Sequence, residues 1–201
     1  EAPVLCVLPG SRTNEIIRLL PVFGDTLKRL APCFTGLHVV IPVVPALASH
    51  IEAVTGGWPL PVTLLRDVKE KFNAFAAANA ALAASGTVSL ELAMAGVPMV
   101  VAYRMNWLTA WLARRLVHVK YASLVNLLLN REAITEFLQG NCRPESLART
   151  LETLLMDTTA GEEQRAAFAE ALAMIGQGRE APSRKAARLV LSHVKKSRLA
   201  C

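Results

Sequence analysis

Short, wholly apolar runs alternate along the chain with longer stretches whose apolar residues recur every three or four positions. Val4–Leu8, Leu37–Pro42, Val62–Leu65, Ala80–Ala84 and Met99–Ala102 have strand length, and Tyr121–Asn126 reads as a last strand. Runs without polar alternation fit a parallel sheet, whose strands are covered on both faces. Between them, Ile16, Leu20, Phe23, Leu27 and Leu30 keep one helical face, and Pro21 is expected to kink that helix or open a second segment. A short helix is expected about Ala46 to Val54, and another over Asp67 to Asn79 with Phe72, Phe75 and Ala76 inward. Leu90, Met94 and Val97 mark a further buried face, ended by Gly96. Glu136, Phe137, Leu138 and Gln139 read as a short polar-tipped helix, and the rest is helical through Leu147/Leu151/Leu154, Phe168/Leu172/Ile175 and Val190/Leu191/Val194. This alternation predicts the α/β class with a doubly wound parallel sheet.

Two of the strand ends carry residues suited to an anion. Val4–Leu8 empties into Pro9-Gly10-Ser11-Arg12-Thr13-Asn14-Glu15, where Gly10 permits close backbone approach and Arg12 offers a fork of donors. Ala80–Ala84 empties into Ser85-Gly86-Thr87, a turn that aims the free N–H groups of a helix start at the crevice beyond the strand. Glu91 lies four residues past Thr87, roughly 6 Å along the helix axis, where an acceptor-only carboxylate suits a ribose diol. The same residues also suit a capped core helix with a solvated Glu91, and a surface ion pair is the commoner use of a lone Arg12.

The stretch from Asn106 to Lys120 is of another kind. Trp107, Leu108, Trp111, Leu112, Leu116 and Val119 share one helical arc, with Arg114, His118 and Lys120 at its margins and Arg115 inside it. An interfacial amphipathic helix and a face packed against another domain fit this pattern equally.

Composition narrows the classes. The 201 residues, 53% of them hydrophobic, suffice for a core, and no segment is long and apolar enough to cross a bilayer. A formal charge of +6 favours anionic partners: nucleotide, phospholipid head group or, last, nucleic acid, for which there is no motif and few aromatic residues to stack bases. Cys6, Cys33, Cys142 and Cys201 are far apart with no His at ligand spacing, so they read as reduced thiols and no metal site is expected. His38 reads as a core or edge residue, and His50 has no evident partner. The opening Glu-Ala-Pro runs straight into a strand, without Met or a signal region, and reads as a chain entered in mid-protein.

Taken in order, Leu8-Pro9-Gly10-Ser11-Arg12-x-x-Glu15, Ala84-Ser85-Gly86-Thr87-x-x-Leu90-Glu91, Pro98-Met99-Val100-Val101-x-Tyr103-Arg104, Ser123-Leu124-x-Asn126 and Glu136-Phe137-Leu138-Gln139 form a series over nearly the whole chain. That series closely resembles the lipid-A-disaccharide synthase family. The resemblance implies a GT-B architecture, with residues 1–157 as a Rossmann-like UDP-sugar-binding domain. Residues 158–201 would be a C-terminal helical segment packing toward an N-terminal domain that this chain does not include.

It also implies transfer of the glucosaminyl unit of UDP-2,3-diacylglucosamine to 2,3-diacylglucosamine 1-phosphate, forming a β-1,6 disaccharide with release of UDP. The work is done without a bound metal or other cofactor, at the cytoplasmic face of the inner membrane of a Gram-negative bacterium, and a homodimer is a possible partner state. Gly10, Ser11, Arg12 and Glu15 match the loop near the donor diphosphate, with Arg12 stabilising departing UDP. Ser85, Gly86 and Thr87 match the phosphate-contacting helix start, and Glu91 the ribose position. Asn126 matches an Asn important for activity, and Glu136 and Gln139 a segment lining the cleft. Val125 stands where the family usually has Pro, which puts the rigidity beside Asn126 in question. Trp107, Trp111, Arg114 and Arg115 are then the membrane or lipid contacts. The general base for the acceptor hydroxyl is expected in the other half. A UDP-sugar 2-epimerase or another GT-B enzyme, and a non-catalytic membrane-associated nucleotide-binding module, are the competing readings.

Overall fold

The computed structural model describes residues 2–105, 120–176, 183–184 and 186–191. Strands β1 (Val4–Leu8), β2 (His38–Pro42), β3 (Val62–Leu65), β4 (Ala80–Ala84), β5 (Met99–Tyr103) and β6 (Glu136–Leu138) form one parallel sheet in the order β3-β2-β1-β4-β5-β6. The helices are α1 (Thr13–Leu30), α2 (Ala48–Thr55), α3 (Val68–Ala77), α4 (Val88–Met94), α5 (Leu124–Leu129), α6 (Pro144–Met156) and α7 (Thr158–Met174). Their placement follows from the strands' alternate side chains. Leu5, Val7, Leu82 and Val100 point to the face covered by α1, α2 and α6, whereas Cys6, Leu8, Ala83 and Val101 point to the face covered by α3, α4, α5 and α7.

The expected face of α1 is the observed one, with Ile16, Leu20, Phe23, Leu27 and Leu30 all buried. Pro21 neither ends nor divides the helix. It lies on the exposed side, where water can solvate the Ile17 carbonyl that it leaves without a donor.

Other expectations are corrected. Tyr121–Asn126 is no strand: Ser123 accepts from Asn126 N–H at 3.3 Å and caps α5, so the apolar Leu-Val-Asn-Leu-Leu-Leu run coils as a helix. The last strand is instead Glu136–Leu138, expected to be helical, which pairs in register with Val101–Tyr103 and passes into a 3₁₀ turn, Gln139–Asn141. In α3 the inward pair is Ala74 and Phe75, while Ala76 is exposed and Phe72 is 55% exposed, set edge-on to Phe75. In α4, Ser89, Leu92 and Ala93 are buried, and Met94 is 62% exposed. Small Ser89 and Ala93 let α4 approach its neighbours closely, which a face led by Met94 would prevent.

Helix α7 lies on the same core. Phe168 and Ala171 are buried with Met99 and Val101, and Gln164 brackets the start of β5 by accepting from Met99 N–H at 2.8 Å and donating to Met99 O at 3.1 Å.

Candidate functional site

The sheet order reverses between β1 and β4, and in an open α/β sheet the crevice at that switch point is where ligands bind. A cavity of about 520 Å³ opens there, at the C-terminal ends of β1 to β4. It is lined by the loop Gly10–Glu15, the Ser85–Val88 turn, Glu91, and a wall of Pro42, Val43, Val44, Pro45 and Leu65. The turns expected to share one anion therefore meet.

The β1–α1 loop is held by its own residues. Gly10 adopts φ +110°, and a Cβ there would lie 2.5 Å from Glu15 Oε2 and 2.9 Å from Glu15 Cβ. Glu15 takes up that space, accepting from Ser11 N–H at 3.2 Å and from Arg12 Nη1 at 3.0 Å. Glu15 thus lines the cavity as a brace for the loop, while Arg12 stands at the mouth with its side chain 80% exposed.

At the β4–α4 turn the donors divide. Ser85 donates its N–H to Ala102 O at 3.0 Å and its hydroxyl to Ala122 O at 2.8 Å, so this side chain ties the turn to the segment before α5 and is no free phosphate donor. The backbone N–H groups of Gly86, Thr87 and Val88 make no hydrogen bond among the described residues, and a Cβ on Gly86 would meet nothing within 4 Å. The N–H groups of Arg12, Thr13 and Asn14 at the start of α1 are likewise unpaired among the described residues.

Four of the five charged side chains lining the cavity neutralise one another in pairs, and the fifth, Asp67, caps a helix. Arg12 pairs with Glu15, Asp67 accepts from Lys69 N–H as the cap of α3, and Lys71 Nζ lies 2.6 Å from Glu91 Oε2. Attraction for an anion therefore rests on the backbone donors of the two helix starts and on the exposed Arg12. Lys71 is a cavity residue that sequence reasoning missed. It sits 20 positions from Glu91, and only the packing of α3 and α4 on the same face of the sheet brings them together.

Asn126, Glu136 and Gln139 are not in this cavity. Asn126 is fully buried: Nδ2 donates to Ile134 O at 2.7 Å and Glu136 Oε1 at 2.8 Å, and Oδ1 accepts from Ala133 and Ile134 N–H at 2.8 and 2.9 Å. Every hydrogen-bonding position of its amide is filled from within. Glu136 also accepts from Ala122 and Ser123 N–H at 2.7 and 2.8 Å. Together they clamp the segment to which Ser85 is tied, which makes them supports of the α4 start. Val125, second residue of α5 and buried, shows that helix and clamp hold this segment without the Pro. Gln139 has φ +53° and accepts from Met105 N–H at 3.3 Å, in a separate groove with Arg18 and Arg104. Trp107, Trp111, Arg114 and Arg115 lie outside the described residues.

His38 Nε2 lies 2.8 Å from Thr63 Oγ1, between two strands, as a core or edge residue does. Burial pushes the Cys6 thiol up to about 12 and raises that of Cys142 despite the neighbouring Arg104 guanidinium, so neither is a nucleophile near neutral pH. Among the described residues no three His, Cys, Asp or Glu side chains gather as a metal site.

Known proteins share this fold and sequence. The fold matches MurG of Acinetobacter baumannii at 18% identity and TM-score 0.58, over 84% of this chain and 46% of that one. The calicheamicin glycosyltransferase CalG4 matches at 22% identity and TM-score 0.57, over 94% of this chain and 42% of that one. These likenesses establish the fold, an α/β unit that makes up under half of each of those chains. In sequence, the lipid-A-disaccharide synthase of Rhodospirillum centenum is 47% identical over 98% of this chain and 49% of its own length. That of Gluconobacter oxydans is 47% identical over 86% of this chain and 41% of its own length. The chain spans about half the length of the curated relatives it matches. A family model described as lipid-A-disaccharide synthetase matches residues 1–190, and with it the motif series has its account: the chain belongs to the lipid-A-disaccharide synthase family.

Proposed function

We propose that this chain is the donor-binding half of an inverting glycosyltransferase that uses UDP-2,3-diacylglucosamine and 2,3-diacylglucosamine 1-phosphate, releasing UDP and the β-1,6 disaccharide. The observation that carries this reading is the switch-point cavity, where unpaired N–H groups of two helix starts, exposed Arg12 and half-buried Glu91 line one space. A diphosphate suits the helix starts, the ribose diol suits Glu91, and the apolar Pro42–Pro45 wall suits the flat base.

In the transfer, the bond from the anomeric carbon to the β-phosphate oxygen breaks as the acceptor's 6-hydroxyl oxygen attacks from the opposite side. The hydroxyl proton passes to a base on the other half of the enzyme. Negative charge grows on the departing β-phosphate, and fixed N–H donors with Arg12 stabilise it there without a metal ion. The acylated substrates place the work at the inner face of a bacterial inner membrane, with the Trp107, Trp111, Arg114 and Arg115 stretch as its lipid contact.

The test is calorimetric titration of the chain with UDP, with and without magnesium, alongside Glu91→Ala and Arg12→Ala. Metal-independent binding, weakened roughly tenfold by Glu91→Ala as expected for lost hydrogen bonds to a charged group, supports the reading. Absence of binding, or binding indifferent to both substitutions, moves the donor out of this cavity.

A further inference from the structure

Lys71 is a charged cavity residue for which the transfer just described has no use. Its Nζ lies 2.6 Å from Glu91 Oε2, 4.9 Å from the centre of the Phe72 ring and 5.9 Å from that of Phe75. Phe75 is buried and Phe72 stands edge-on to it at 5.9 Å, so this aromatic pair gives the ammonium a fixed seat. Both members of the ion pair are sheltered, at 25% and 35% side-chain exposure, which makes the contact more than a solvated surface pair. Only Oε2 of Glu91 is engaged, and Oε1 has no partner among the described residues.

A glutamate carboxylate turns almost freely about its last torsion, and a diol needs acceptors in a defined direction. Anchoring one oxygen sets where the other points. An acid so anchored selects for a hydroxyl pair, because a ligand lacking one hydroxyl leaves a desolvated acceptor unpaired. We propose that Lys71 is a positioning residue that orients Glu91 and so makes the cavity selective for ribonucleoside over 2′-deoxyribonucleoside diphosphates. The inference rests on the UDP reading of the same cavity.

The experiment titrates UDP and 2′-deoxy-UDP into the unsubstituted chain, Lys71→Met and Lys71→Arg, with thermal unfolding of each as a check on folding. The unsubstituted chain is expected to favour UDP by about tenfold, the scale of one hydrogen bond to a charged group. Lys71→Met should reduce that preference to near parity by weakening UDP alone, and Lys71→Arg, which keeps a cation beside Glu91, should retain most of it. A preference unchanged in Lys71→Met, or equal weakening of both nucleotides, overturns the positioning role while leaving the UDP reading intact. No preference in the unsubstituted chain overturns the role as well, and failure to bind either nucleotide overturns the UDP reading and this inference with it.

Discussion

Removing the side chain of Arg12 strands no buried group, since it is 80% exposed and its one partner among the described residues, Glu15, keeps its bond to Ser11 N–H. Removing the amide of Asn126 strands the part-buried N–H of Ala133 and the buried N–H and carbonyl of Ile134, while Glu136 Oε1 keeps its bond from Ser123 N–H. Arg12→Ala should therefore shift stability by no more than about 0.5 kcal/mol, whereas Asn126→Ala should cost about 2–4 kcal/mol. Urea unfolding of both variants, with UDP affinity and full-length turnover measured beside it, checks the contrast. Arg12→Ala is expected to lose turnover at nearly full stability, and Asn126→Ala to lose both together. An Asn126→Ala variant that is stable yet inactive would place the Asn at the substrate after all. At this scale the chain's own order of residues exposes Arg12, Glu15 and Glu91, because motif spacing brings them to turns. It conceals Lys71, which matters through a contact made across α3 and α4.

Elements behave as their caps and neighbours dictate. The run after Ser123 is apolar enough for a strand, yet a capping hydroxyl and the buried Asn126 amide make it α5, and the edge position beside β5 goes to Glu136–Leu138. Helix α7 buries Ala167, Phe168, Ala171 and Leu172, and one polar side chain ties it to β5. Gln164 pairs with both the N–H and the carbonyl of Met99, at the buried end of β5. Gln164→Leu keeps the volume but leaves both backbone groups unpaired, and should cost about 2–3 kcal/mol, read as a lower urea midpoint. An unchanged midpoint would mean that water replaces the amide there and that α7 is held by Phe168 and Ala171 alone.

For the whole molecule, the cavity is partly open to solvent, and the proposed reaction needs a base and an acceptor seat beyond this chain's described residues. The chain by itself is thus expected to bind UDP weakly and to form no disaccharide. Incubation with both acylated substrates, with the full-length protein as control, checks this, and turnover by the 201-residue chain would refute the division of labour between halves. What the sequence by itself determined is the α/β class, five of the strands, the anion-suited turns and the family, because these depend on period, run length and motif order, all local along the chain. What only the tertiary structure decided is which faces of α3 and α4 are buried, that Glu136–Leu138 is the sixth strand, that Asn126 and Glu136 lie behind the site and not in it, and that Lys71 pairs with Glu91. Those depend on which residues from distant segments share a neighbourhood, and close packing and the pairing of buried polar groups settle that only once the sheet is assembled.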